Sequence, residues 1–236
     1  MMQSVDIAII GGGMVGLAVA AALKDSELRV AVIEAKEPEV ELKTLPDVRV
    51  SALSRSSETI LRRLGAWQGI EQRRASPYDA MEVWEQDSFA RIDFSAQQMA
   101  QPDLGHIVEN RVIQLALLEQ VKLQDNVTLF MPDKCQSLAI GESEAWLTLD
   151  SGQSLTAKLV VGADGANSWL RQQVDIPLTH WIMGTVLLLQ TLEPKNITTE
   201  WRDKFLRPMV HWLSYLLMMR RFVPLYGQPT PAELSG

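Results

Sequence analysis

Three glycines and two acids carry the chemistry that this chain offers. Gly11, Gly13 and Gly16 stand in G-G-G-M-V-G at residues 11 to 16, after the apolar run Val5 to Ile10 and before the Ala- and Leu-rich stretch Met14 to Leu23. That pattern fits a buried parallel strand, a turn and a helix. In such a turn Gly11 permits the tight bend, Gly13 lets the backbone approach a pyrophosphate, and Gly16 lets the helix pack closely on the strand. The phosphates then lie on unpaired N–H groups at the helix N-terminus. Arg29 to Glu34, R-V-A-V-I-E, reads as the second strand, and Glu34 ends it at the distance where such folds bind ribose hydroxyls. Taken alone, Glu34 also suits a solvated strand end, and the glycine motif suits NAD(P) as well as FAD.

The second acid is Asp164, in D-G-A-N-S-W-L-R at residues 164 to 171, directly after the apolar L-V-V-G-A. In an open α/β sheet, ligands bind beyond the carboxyl ends of the strands, so this loop is expected to share a crevice with the glycine turn. An ordinary Asp-Gly turn followed by a solvated Arg171 is the competing reading.

The elements that must position these residues follow from periodicity and turn chemistry. A right-handed βαβ unit is expected over residues 1 to 34, and Leu159 to Ala163 is expected in the same parallel sheet. Residues 35 to 50, with Pro38 and Pro46, suggest a surface excursion. A helix follows with Ser54 or Ser56 as N-cap, Ile60, Leu61 and Leu64 on its apolar face, and Gly65 as its stop. Met81 to Glu85 and Ala90 to Phe94 read as short strands, and Asn110 to Leu123 as a helix. Val127 to Phe130, Ser137 to Ile140, Trp146 to Leu149 and Ser154 to Val161 read as further strands, with turns at Gly141 and at Ser151-Gly152.

Composition limits the classes. The 236 residues are 47% hydrophobic and 22% charged, a globular balance, and the net charge of -7 with no basic stripe argues against nucleic acid as a partner. The single Cys135 cannot form an intramolecular disulfide, which fits a reducing compartment, and it reads as structural. His106, His180 and His211 are scattered and form no ligand pattern, so no metal is expected. Ile7 to Leu23 is apolar, but Asp6 precedes it, no basic segment leads it and glycines interrupt it, which argues against a signal peptide or membrane span.

Gly11 to Gly16, Glu34, R-V-S-A-L at 49 to 53 and D-G-A-N-S-W-L-R at 164 to 171 resemble the successive fingerprints of the single-component FAD-dependent aromatic hydroxylases. R-R-A-S-P-Y-D-A-M-E-V-W-E-Q-D-S-F at 73 to 89 and L-G-H-I-V-E-N at 104 to 110 resemble the ubiquinone-biosynthesis branch, above all its 2-octaprenylphenol hydroxylases. The resemblance runs from Met2 to about Trp181. It implies an α/β fold, a Rossmann-like FAD-binding domain of the glutathione-reductase-like type over residues 1 to 181, with part of a β-sheet substrate domain near 76 to 108. It also implies that Gly11, Gly13, Gly16 and Glu34 hold the ADP half of FAD, that Arg49 reaches the cofactor, that Asn110 lies near the flavin, and that Asp164 serves both FAD and reduced nicotinamide. Arg111, beside Asn110, is left out of this set. In the family NAD(P)H reduces the flavin, O₂ adds to its 4a carbon, and the hydroperoxide hydroxylates a phenol, here a polyprenylphenol. The cofactor supplies that chemistry and the protein positions the ring and excludes water; no catalytic side chain is assigned. The implied setting is cytoplasmic, with peripheral association to the inner membrane or to a ubiquinone-biosynthesis complex.

The chain departs from the family after Trp181. Relatives continue and carry G-D-A-A-H, then a Pro and G-Q-G-x-N, around the ribityl chain and flavin ring; none of these occurs here. V-L-L-L at 186 to 189 and W-L-S-Y-L-L-M-M-R-R-F at 212 to 222 are apolar without cap or turn logic, and the second also suits an interfacial helix. Restoring one base after the Trp181 codon, with synonymous codon choice, turns I-M-G-T-V-L-L-L-Q-T-L-E into D-Y-G-H-S-A-I-V-A-N-I-R. The same shift turns L-S-Y-L-L-M-M-R-R-F-V-P-L-Y-G into A-F-L-P-F-D-D-A-Q-V-C-S-I-V-W. Both products resemble substrate-sheet strands of ubiquinone hydroxylases. Residues 182 to 236 are therefore expected to be an out-of-frame, poorly folding tail. The chain is expected to be either a hydroxylase or a truncated, non-catalytic FAD-binding remnant of one.

Overall fold

The apolar run at the start of the chain forms the strand β1 (Met2–Ile10), with Val5, Ala8, Ile9 and Ile10 buried. The helix α1 (Met14–Ala22) follows the glycine turn, and β2 (Val30–Ile33) is buried along its whole length, as befits a central parallel strand. The computed structural model describes residues 2–44, 46–84, 89 and 91–179. The excursion expected over residues 35 to 50 forms no helix or strand among its described residues before Val50, which opens the next strand.

Next come β3 (Val50–Ser54), α2 (Arg55–Arg63), α3 (Trp67–Arg73), β4 (Ser76–Tyr78), β5 (Ala80–Trp84), β6 (Arg91–Ser95) and β7 (Gly105–Glu109). Of the two serines proposed as cap, Ser54 is the one used: its side chain accepts from the Ser57 N–H, and Gly65 closes the stretch at φ +79°. The last part is α4 (Asn110–Lys122), β8 (Val127–Phe130), β9 (Cys135–Ile140), β10 (Ala145–Leu149), β11 (Ser154–Gly162) and α5 (Trp169–Gln173).

Among the described residues, six strands form one sheet in the order β8-β2-β1-β11-β10-β9. The first three pairings are parallel, and the β9-β10-β11 meander is antiparallel. The expected parallel placement of residues 159 to 163 is seen as far as Gly162, where the strand ends: Ile7 pairs with Leu159 and Ile10 with Gly162. The short strands β3, β7 and β4 form a second, antiparallel sheet. Neither β3, β4, β7 nor the short helices α3 and α5 stand out by periodicity; their pairing is set by tertiary contacts, such as Gly105 lying so close to the Leu53 carbonyl that a methyl group there would overlap it.

These elements, residues 2–42, 49–80 and 95–178, make one unit. The hairpin β5-β6 belongs to a second unit except for its outer ends, Ala80 and Ser95. Residues 182 to 236, expected as an out-of-frame tail, lie outside the described residues.

One core lies between the sheet and the helices, where Ile9, Val30 and Val32 meet Leu17 and Ala20 of α1 and Val112, Ala116 and Leu117 of α4. A second core on the other face joins Val5, Ala8 and Ile10 to Leu147, Leu149, Leu155 and Leu170. Glu58 is buried on α2; burial alone would raise its carboxyl, but Arg62, Arg55 and His106 hold it below its usual range. Arg62 reaches it at 2.7 Å, Arg55 at 3.1 Å, and Nδ1 of His106 on β7 lies 3.2 Å away, so the network ties α2 to the second sheet.

Asp6 on β1 pairs with Arg29, just before β2, at 3.1 Å and with Lys158 on β11 at 2.8 Å, and these partners hold its carboxyl well below the ordinary range. A lowered folded-state pKa contributes stability that is present above the unfolded value, about 4, and is lost as pH falls below it. Urea midpoints should therefore drop from about pH 4 downward, and D6N should flatten that drop. In the helical core, L117A removes a fully buried side chain and should cost about 2–5 kcal/mol in the same titration.

Candidate cofactor site

Each glycine of the turn is held by a different neighbour. Gly11 has φ +107°, and a methyl group there would overlap the carbonyl oxygen of Ala163 at the end of β11. Ala163 N–H donates to the Ile10 carbonyl at 2.7 Å, which draws the two strand ends together. A methyl group on Gly16 would overlap the Gly11 carbonyl oxygen, so the start of α1 sits directly on the turn. Gly13, the N-cap of α1, is extended at φ -75°, ψ -174°, and a methyl group there would meet nothing within 4 Å.

That open side coincides with a helix N-terminus that has no side-chain cap and no acid in its first turn. The first N–H groups of a helix lack intrahelical partners and carry partial positive charge, a setting that favours an anion. Glu34 stands at the end of the neighbouring strand. Its Oε2 accepts the Gly12 N–H at 2.6 Å and its Oε1 accepts the Lys36 N–H at 3.0 Å. The carboxylate is thus fixed beside the turn rather than solvated at a strand end.

Asp164 follows β11 on the same side of the sheet, with its backbone against Gly11. Its carboxylate organises its own loop: Oδ1 accepts the Ser168 hydroxyl at 2.6 Å, and Oδ2 accepts the Leu170 N–H at 3.1 Å. Ser168 in turn accepts the Arg171 N–H at 3.0 Å, capping α5, and the Arg171 guanidinium donates to the Ala166 carbonyl at 3.0 Å. D-G-A-N-S-W-L-R is therefore a self-tied loop pressed against the glycine turn, and Arg171 holds it closed.

Arg49 and Asn110 meet where β3 and α4 adjoin. Asn110 N–H donates to the Arg49 carbonyl at 2.9 Å, and the Ser51 hydroxyl donates to Asn110 Oδ1 at 2.6 Å. One turn further along α4, Gln114 Nε2 donates to the Gly12 carbonyl at 2.7 Å. Residues four apart share a helix face, so Asn110 lies on the side of α4 that is tied to the glycine turn. Arg111 faces elsewhere, pairing with Glu39 at 3.1 Å and reaching the Glu41 carbonyl.

Gly11, Gly13, Gly16, Glu34 and Asp164 thus gather at the carboxyl ends of β1, β2 and β11, and Arg49 and Asn110 connect to them through α4. Sequence reasoning missed Gln114, Ser51 and Ser168. Ser51 and Ser168 lie within the R-V-S-A-L and D-G-A-N-S-W-L-R segments, which were the signal for them, whereas Gln114 left none. Cys135 stays a thiol: burial, then Asp133, Asp164 and Asp150, push it up to about 12.

A glycine turn on an uncapped helix N-terminus, with an acid closing the next parallel strand, defines a dinucleotide-binding protein. The chain belongs to the FAD-binding domain family, whose model matches residues 4–211, beyond Trp181. FAD is the cofactor of that family, and the open side of Gly13 fits the close approach of its pyrophosphate. The chain is 38% identical over 195 residues to a 3-demethoxyubiquinol 3-hydroxylase of Escherichia coli K12, covering 82% of this chain and 50% of that protein. It is 36% identical over 216 residues to a mitochondrial ubiquinone biosynthesis monooxygenase of Danio rerio, covering 84% and 44%. These relatives share the ubiquinone-biosynthesis branch, without singling out 2-octaprenylphenol. The chain spans about half the length of the curated relatives it matches. Among solved structures, PqsL of Pseudomonas aeruginosa, a probable FAD-dependent monooxygenase, superposes with a TM-score of 0.64 at 19% identity over 81% of this chain and 52% of that one. The flavin-dependent monooxygenase PieE, in complex with FAD and substrate, gives 0.57 at 20% identity over 80% and 33%. At these identities the likeness is one of fold. No helix among the described residues is long and apolar enough to cross a membrane.

The glycines should separate experimentally. A Cβ at Gly13 meets nothing within 4 Å and the backbone there is ordinary, so G13V should cost no more than about 1 kcal/mol, the scale of a less favourable N-cap, while FAD binding is lost. G16V should instead unfold or strongly destabilise the protein, because its side chain meets backbone. Thermal melts and flavin absorbance after gel filtration read both outcomes.

Proposed function

We propose that this chain is the FAD-binding portion of a flavin monooxygenase that hydroxylates a polyprenylated phenol in ubiquinone biosynthesis, with NAD(P)H as reductant and O₂ as co-substrate. The observation that carries this reading is the 38% identity over 195 residues to a hydroxylase of a ubiquinone precursor. When bound, FAD supplies the oxygen activation. The chain's own residues bind and orient: Gly11, Gly13 and Gly16 cradle the pyrophosphate, and Glu34 accepts from the adenosine ribose. Arg49 and Asn110 approach the cofactor from the β3-α4 junction, and Asp164 holds the loop that closes the other side. Strands β5 and β6 begin the substrate-domain sheet.

The substrate is a 2-polyprenylphenol or a later ring-substituted relative such as a demethoxyubiquinol. Because its tail is hydrocarbon, the reading includes contact with the inner-membrane surface. Oxygen-dependent NAD(P)H consumption by the FAD-loaded chain should rise on adding a polyprenylphenol, and E34A should weaken FAD binding by about 1–3 kcal/mol. A chain that retains NAD(P) but no flavin would overturn the reading in favour of a nicotinamide-binding module.

A second reading, of a non-catalytic FAD-binding remnant, rests on the two strand-like strings that one restored base recovers from residues 182 to 236. It predicts bound flavin without turnover, and a gene that encodes G-D-A-A-H downstream when read one base out after Trp181. An early stop codon in that frame, or hydroxylation at an ordinary enzymatic rate, would exclude it.

A further inference from the structure

The Gly12 residue is held at both ends by side chains from distant parts of the chain. Glu34 accepts its N–H at 2.6 Å, and Gln114 donates to its carbonyl at 2.7 Å. The two bonds act on different peptide planes. Glu34 fixes the plane between Gly11 and Gly12, and Gln114 fixes the plane between Gly12 and Gly13. Among the described residues the cis bond recorded is Met131-Pro132, so the Gly12-Gly13 peptide is trans. In a trans peptide the carbonyl and the N–H point in opposite directions. With the Gly12 carbonyl drawn to α4 by Gln114, the Gly13 N–H must point away from α4.

We infer that Gln114 is a positioning residue for the cofactor: by holding the Gly12 carbonyl it aims the Gly13 N–H at the pyrophosphate. This rests on the proposed FAD reading. Glycine has little intrinsic preference between peptide orientations, so an unanchored Gly-Gly plane would spend part of its time turned over, with a carbonyl oxygen facing the anion. Gln114 is well suited to prevent that. It projects from the middle of a 13-residue helix whose neighbours Val112, Ile113, Leu115, Ala116 and Leu117 are buried, so its own position is fixed by packing. A carboxamide donates without adding charge, which leaves the helix N-terminus as the local source of positive potential.

Two substitutions test this in the full chain. Q114M keeps length and helix propensity but has no donor; Q114E keeps the shape but turns a carboxylate oxygen toward the Gly12 carbonyl. The dissociation constant for FAD, from quenching of flavin fluorescence, should rise about tenfold for Q114M and further for Q114E. The competition constant for ADP, which carries the same pyrophosphate, should rise by matching factors. Helix content and the melting temperature without FAD report any purely structural damage, which would not reproduce the order wild type, Met, Glu in both ligands. FAD and ADP affinities within twofold of wild type in the folded variants would overturn the inference. A wild-type chain that binds neither ligand would instead overturn the FAD reading on which it rests.

Discussion

The parallel register of β1 against β11 is the constraint on which the rest depends. Because Ile10 lies opposite Gly162 and Ala163 donates to the Ile10 carbonyl, both strands end at one level. The chain leaving β1 must then turn in the shadow of the Ala163 carbonyl, which a side chain at Gly11 would overlap. The positive φ of Gly11 sends the backbone over the end of the sheet, and α1 starts so close that Gly16 is needed as well. A slip of one residue in this pairing would exchange the two faces of β1 and remove the junction between the glycine turn and the Asp164 loop together.

The helix α4 connects the remaining parts. Its apolar side, with Val112, Ala116, Leu117 and Val121, belongs to the core beneath β1 and β2, while Gln114 and Asn110 lie along the side that reaches the glycine turn and β3. Core packing and site geometry are therefore carried by one rigid body. Polar contacts made from a packed helix keep their direction far better than contacts made from a loop, because the side chain's base cannot drift. The same logic holds at the other wall, where Asp164, Ser168 and Arg171 make their loop rigid from within.

The glycine turn, Glu34 and the strands around them were legible in the sequence because local rules govern them: strand periodicity, a helix start, and an acid at a strand end. The fold class followed from these and from the resemblance of the later motifs. What stayed hidden depends on partners far apart in the chain. Nothing near Gln114 announces a bond to Gly12, 102 residues away, and nothing near Gly105 announces the Leu53 carbonyl. Asp164 shows a different limit. Its motif marked a functional loop, yet the two oxygens of its carboxylate are used to cap and close that loop, a role that composition and spacing do not separate from direct ligand contact.

The turn also explains why such a protein and its cofactor stabilise each other. To bind an anion, the first N–H groups of α1 must be left without protein partners, and Gly13 must leave empty the space a side chain would fill. Both features cost stability in the free chain, one as donors that only solvent satisfies and the other as backbone freedom. A bound dinucleotide supplies the missing acceptors and fills the space, and its free energy of binding adds to the stability of the folded state by mass action. Affinity therefore depends on how much of that arrangement exists beforehand. Each peptide plane already fixed by Glu34 or Gln114 is one that a bound dinucleotide would not have to order, so the preorganisation of the turn rests on the packing of β2 and α4.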